Sequence, residues 1–227
     1  LSSFRVISIG ALAAHPLWGE RGEVRPAHAT TTLIVAGKAR ILVDPSLPAQ
    51  ILLPRLAERA NVKPEQITHV FLTCLHPLHR RGIAAFPKAE WLVSSAEREA
   101  VGVPLLGKFE EARDAGDADL AQLLVQEIEI VERCKAASDQ IEKGVDLFPL
   151  SGVTAGMAGL LLPLNHATVL VAGDAVPTQE HLEQGQVLST SQDVQAARAS
   201  FAEAIEIADL IVAGRDNILM NPMRRPF

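Results

Sequence analysis

The sequence predicts an α/β protein with two mixed β-sheets in the middle and helices outside, and three observations carry that reading. Short β-branched or apolar runs, each stopped by Gly, Pro or Asp, fill the first fifty residues. Helical spacing follows, and the chain then returns to strands before a final helix and a short apolar strand. Aromatics make up 4% and tyrosine is absent, so Leu, Val, Ile and Ala must build the core, as in close-packed layers. At 227 residues with no linker-like stretch, a single domain over residues 1–227 is expected.

The elements read in order. "FRVISIGAL", "TTTLIVAG" and "RILVDPS" are strands, the last two joined by a turn at "AGKAR". Residues 49–60, "AQILLPRLAERA", have helical spacing despite Pro54, which marks a kink or a first turn. "ITHVFLT" at 67–73 and "WLVSS" are strands, and Ser95 ahead of Glu97 caps a helix over "SAEREAVG". Residues 104–125 read as helical or loose. "VQEIEIVERC" alternates like a strand, so 126–150 is expected to form a hairpin around "AASDQIEKG". "GLLLPLNHATVLVAGDA" is a hairpin turning at Asn165-His166, and Asp193 caps the last helix before the strand "LIVAG".

Composition excludes several function classes. The net charge of -6 comes with no stripe of Lys and Arg, so no nucleic-acid footprint is expected, and the Arg224-Arg225 pair reads as a solvated tail. No apolar run spans a bilayer, so no membrane partner is expected. Cys74 and Cys134 make no paired framework and the first residues show no leader pattern, which together point to the cytoplasm.

Four strand ends carry polar groups: "VDP" at 43–45, "TCLHPLH" at 73–79, "GDA" at 173–175 and "GRDN" at 214–217. A carboxylate placed after buried aliphatics, as at Asp44 and Asp174, needs hydrogen bonds or a cation; for Asp44 simple turn capping is the equal alternative. In extended backbone Cys74 and His76 face one way, and His79 joins them if the chain turns at Pro77. Cys74, His76, His79 and Asp174 are acceptable ligands for one zinc, although a lone histidine is more commonly structural. Cys74 beside a histidine is alternatively a nucleophile, provided its thiol pKa is lowered. No G-x-S-x-G elbow or phosphate-binding loop occurs.

In these segments the chain resembles the metallo-β-lactamase superfamily. The likeness runs through "ATTTLIVAGKARILVDPSLP", "THVFLTCLHPLHRRGIAAFP" in the place of H-x-H-x-D-H, "LSGVTAGMAGLLL" in the place of the "GHTPG" loop, "VLVAGDAV" and "IVAGRDN". It implies the four-layer αβ/βα sandwich and a hydrolase ancestry. Position by position it puts the family's ligands on Cys74, His76, Leu78 and His79, then on Val153, Asp174 and Arg215. Three ligands are thus kept, Cys74 is a substitute, and Leu78, Val153 and Arg215 are lost positions, which describes a degenerate metal motif.

Two main expectations follow. One is a largely non-catalytic protein, a pseudoenzyme without metal, in which Arg215 pairs with Asp174 and the pocket binds a small, anionic ligand or a partner; Arg215, His15 and Trp18 line that pocket, with His181 near. The other is a mononuclear zinc hydrolase of an ester, thioester, lactone or lactam, with Asp44 bracing the ligands. The Cys74 chemistry stands as a third.

Overall fold

The computed structural model describes residues 2–224, so Arg225 of the C-terminal arginine pair lies outside the described residues. Strands β1 (Ser3–Ser8), β2 (Thr31–Ala36) and β3 (Ala39–Val43) form an antiparallel meander. Helix α1 (Ala49–Ala60) then crosses to β4 (His69–Phe71), which pairs in parallel with β3, and β5 (Glu90–Val93) follows in parallel with β4. Helices α2 (Ser95–Asp114) and α3 (Ala118–Arg133) pack against one another before β6 (Lys135–Ala136) closes the first sheet, ordered β1-β2-β3-β4-β5-β6.

The second sheet starts with the hairpin of β7 (Gln140–Glu142) and β8 (Val145–Pro149), followed by β9 (Ala158–Pro163) and β10 (Thr168–Gly173). Helices α4 (Gln179–Gln184) and α5 (Val194–Ile207) lead to β11 (Leu210–Ala213), parallel to β10, and β12 (Ile218–Met220) ends the sheet. Its order is β12-β11-β10-β9-β8-β7. Two mixed sheets with flanking helices are therefore the architecture the sequence implies.

Period-2 alternation explains why central strands are apolar on both faces. Ile34, Ile41, Val43 and Phe71 from one sheet meet Leu160, Val169, Val171 and Val212 from the other between the sheets. Their neighbours Leu33, Leu42 and Val70 turn outward onto α1, where Leu52 and Leu56 are fully buried. Leu170 and Ala172 do the same against Phe201 and Ala204 of α5. Each such aliphatic, moved out of water, contributes on the order of 2 kcal/mol.

Two expectations about local structure are corrected. Residues 126–133 are the second half of α3, not a strand: Leu120, Leu124, Ile128 and Val131 repeat at helical spacing, Asp117 accepts the Leu120 N–H at 3.0 Å as N-cap, and packing on α2 favours the longer period over the short alternation. The hairpin there is confined to β7 and β8. The cap of α2 is Ser94 rather than Ser95, its Oγ accepting from Glu97 N at 3.0 Å. Pro54 lies within α1, past its first turn. Among the described residues no helix is long and apolar enough to cross a membrane.

Glu97 in the first turn of α2 is 1% exposed and ties two loops together. Its Oε1 accepts from Leu75 N at 2.9 Å, while Oε2 accepts from Thr154 Oγ1 at 2.7 Å and Gly156 N at 3.2 Å. Gly156 is obligatory here, since a Cβ would sit 1.9 Å from Glu97 N. Glu97→Ala would leave two buried N–H groups without acceptors and is expected to cost about 3 kcal/mol, read as a lowered urea midpoint; an unchanged midpoint would refute the bracing role.

Candidate functional site

The four polar strand ends converge at one edge of the sandwich. Asp44, directly after β3, adopts φ 46°, a left-handed conformation that Asp tolerates better than most residues. This turns its carboxylate to accept from Thr73 N at 2.9 Å, Thr73 Oγ1 at 2.7 Å and His79 Nδ1 at 2.9 Å. Asp174 follows β10 and Arg215 follows β11, so the parallel pairing of those strands sets them side by side. Gly214 permits the approach, because a Cβ there would lie 2.5 Å from Asp174 Oδ1.

The resulting contacts form a closed, buried network. Arg215 donates Nε–H to Asp174 Oδ1 at 2.7 Å and Nη2–H to Oδ2 at 2.6 Å, a two-pronged ion pair. His79 Nε2 lies 3.2 Å from the same Oδ2 and 3.1 Å from Arg215 Nη2. The chain Asp44–His79–Asp174–Arg215 thus holds two carboxylates, one imidazole and one guanidinium. All four residues are under 9% exposed.

Electrostatics in this network is dominated by the pairing. Burial alone would raise the Asp174 pKa, yet Arg215 and His79 hold the carboxyl far below its ordinary range. Burial also opposes charge on His79, but the carboxylates of Asp44 and Asp174 outweigh it and hold His79 well above its ordinary 6.5. Two carboxylates, the guanidinium and a ring with both nitrogens donating make the network electrically neutral. Nη1 of Arg215 is buried without a hydrogen-bond partner.

The remaining predicted residues fall into place around it. Cys74 is 2% exposed, and burial raises its thiol pKa, the reverse of what a nucleophile needs. Cys134 is likewise buried and free, its thiol pushed up to about 11. His76 is exposed, with Nδ1 accepting from Leu78 N at 3.2 Å; its ring centre lies 6.4 Å from that of His79, and burial, then His79, lowers its pKa. Leu78 and Val153 line the cavity as apolar wall. Among the described residues, no group of three or more His, Cys, Asp or Glu side chains is gathered so as to hold a metal ion.

The cavity measures about 660 Å³ and is lined by Cys74, His76, His79, Asp174, Arg215 and His181 among its polar residues. His15 and Trp18 are not in its lining; they border a smaller space of about 200 Å³ behind the loop. Their side chains bind the protein's own anion: Trp18 Nε1 donates to Glu180 Oε1 at 2.9 Å, His15 Nε2 lies 3.1 Å from Glu180 Oε2, and the two rings stack at 4.2 Å. The sequence reading passed over Thr73, Thr178 and Glu180, which orient site residues, and took Glu97 only as part of a helix cap. The Ser-x-x-Glu spacing at the start of α2 was the one signal for these four.

A family model described as the metallo-beta-lactamase superfamily matches residues 24–213, and the chain belongs to that superfamily. Among solved structures, it is similar to a probable metal-dependent hydrolase from Staphylococcus aureus, at 15% identity and TM-score 0.68, with 96% of this chain and 92% of that chain covered. It is also similar to a variant of AiiA from B. thuringiensis with N-decanoyl-L-homoserine bound at the active site, at 18% identity and TM-score 0.64, covering 95% and 92%. An N-acyl homoserine lactone hydrolase with its product at the catalytic metal centre gives the same identity, TM-score and coverage. At these identities the likeness concerns the fold. No curated protein matches the chain.

Three measurements test the network. His79 folds with a raised pKa, so its stabilisation is complete below about pH 6.5 and is lost as pH rises through the folded value; Asp174 contributes above about pH 4 and loses its contribution as pH falls. The stability gap between the wild type and His79→Gln should therefore narrow toward alkaline pH. Nitrogen-15 spectra at pH 7 should show both His79 ring nitrogens protonated, whereas a neutral ring accepting from Arg215 would overturn this assignment. Arg215→Ala, which strips a buried carboxylate of its main partner, should cost about 3 kcal/mol in urea unfolding.

Proposed function

We propose that this chain is a superfamily member whose dinuclear metal centre has given way to the Asp44–His79–Asp174–Arg215 network, and that it binds a small molecule rather than hydrolysing one through metal-bound water. The observation that carries this reading is the two-pronged Arg215–Asp174 pair. It occupies both oxygens of the carboxylate that the family resemblance makes a bridging ligand.

The donor set supports the same conclusion. Zinc wants thiolate, neutral imidazole or free carboxylate. Here both oxygens of Asp174 are taken by Arg215, His79 is fixed between Asp44 and Asp174, and Leu78 and Val153 have no lone pairs to offer. A guanidinium about 4 Å from a dication would be repelled by several kcal/mol even at an effective dielectric of about 20. The residues present do not fit a dinuclear centre.

A mononuclear zinc hydrolase is the second reading, favoured by the neutral, accessible His76 ring at the cavity and by the metal-dependent hydrolases of the same fold. It would need Cys74, His76, His79 and Asp174, hence a disassembled ion pair. Cysteine chemistry at Cys74 is disfavoured by the raised thiol pKa.

Elemental analysis separates these readings. The tag-free protein, incubated with a modest excess of zinc and desalted, should retain well under 0.2 equivalents by order of magnitude, while Arg215→His should retain more by freeing Asp174 and adding a ligand. About one equivalent in the wild type, lost on His76→Ala, would sink the metal-free reading and favour the mononuclear hydrolase.

A further inference from the structure

His181 is an unabsorbed feature of the cavity. It sits in the first turn of α4, is 1% exposed, and belongs to the cavity lining. Its Nδ1 lies 2.9 Å from Thr178 Oγ1. That hydroxyl is also 2.9 Å from Glu180 Oε2 and 3.0 Å from His15 Nε2.

Proton counting fixes the histidine tautomer. A threonine hydroxyl has one proton to give and two lone pairs, whereas an ionised carboxylate only accepts. Glu180 is held below its ordinary pKa: its burial is outweighed by its own backbone N–H, Trp18 and Thr178. The charge-assisted bond therefore claims the Thr178 proton. The Thr178 oxygen is left to accept through its two lone pairs, from the His181 backbone N–H at 3.4 Å and from the His181 Nδ1–H, while His15 Nε2 has Glu180 Oε2 at 3.1 Å as its acceptor. A neutral imidazole protonated at Nδ1 carries its lone pair on Nε2. Burial and His15 keep the ring neutral by lowering its pKa. Among the described residues Nε2 makes no hydrogen bond.

The rest of the cavity restricts what could meet that lone pair. Leu12, Leu17, Val153, Val187 and Leu188 give it apolar walls. Its charged groups are already engaged: Glu20 with Arg25, and Asp174 with Arg215 and His79. An anion would bring more acceptors to a lone pair, with no unpaired cation among the lining residues to compensate its desolvation.

We infer that the cavity takes an uncharged molecule with an apolar body and one O–H or N–H group, which donates to His181 Nε2. This rests on the small-molecule binding reading above and replaces the anionic ligand expected from sequence with a neutral donor.

The test uses three probes of matched size on chelator-treated protein at pH 7.5, followed by NMR titration: 1-octanol, heptyl methyl ether and octanoate. Octanol should bind about tenfold more tightly than either the ether, which has no donor, or octanoate. His181→Phe should abolish the preference for octanol over the ether. His181→Gln, which keeps an acceptor, should retain part of it and covers the case in which the Phe variant fails to fold. Equal or tighter binding of octanoate, an alcohol preference that survives both variants, or no binding of any probe would overturn the inference. These outcomes are distinct from failure of the broader reading, which shows as one equivalent of zinc retained through His76.

Discussion

The ion pair between Asp174 and Arg215 organises this edge of the molecule. Both groups are carried to the same place by the parallel pairing of β10 and β11, and both are removed from water. Two charges in such a place are tolerated only with close partners, and here each carboxylate oxygen has its own guanidinium N–H. His79 and Asp44 extend the pairing into the first sheet, so the network is also a polar seam between the two halves of the sandwich. The apolar contacts between the sheets supply the bulk of the stabilisation, and the seam fixes how the loops above them lie.

Two other carboxylates, one buried and one half-buried, follow the same logic. Glu97 reaches from α2 to backbone N–H groups of two different loops, and Glu180 collects Trp18, His15 and Thr178 around the start of α4. In each case an acceptor-only group is surrounded by donors, which orders polypeptide that has no secondary structure of its own. The cavity is shaped by these clamps as much as by its apolar walls.

Much of the fold was legible in the sequence because strands buried on both faces leave a strong apolar signature. The β9–β10 hairpin and the Asp193 cap of α5 stand where the pattern puts them. α3 was misread because "EIEIV" alternates over a few residues; the longer repeat of Leu120, Leu124, Ile128 and Val131 carries the true period. At the site, the family resemblance put Arg215 and Asp174 on neighbouring ligand positions, and opposite charge then implied their pairing. The pairing of His15 and Trp18 with Glu180 could not, since it joins residues more than 160 positions apart through a loop whose path follows no local rule.

The four-residue circuit has a consequence for how such a protein can change over generations. Replacing any one member leaves at least one buried charge short of a partner. A substitution at one of the four positions is therefore felt at the others, so that change at this edge of the sandwich is least costly when two members alter together.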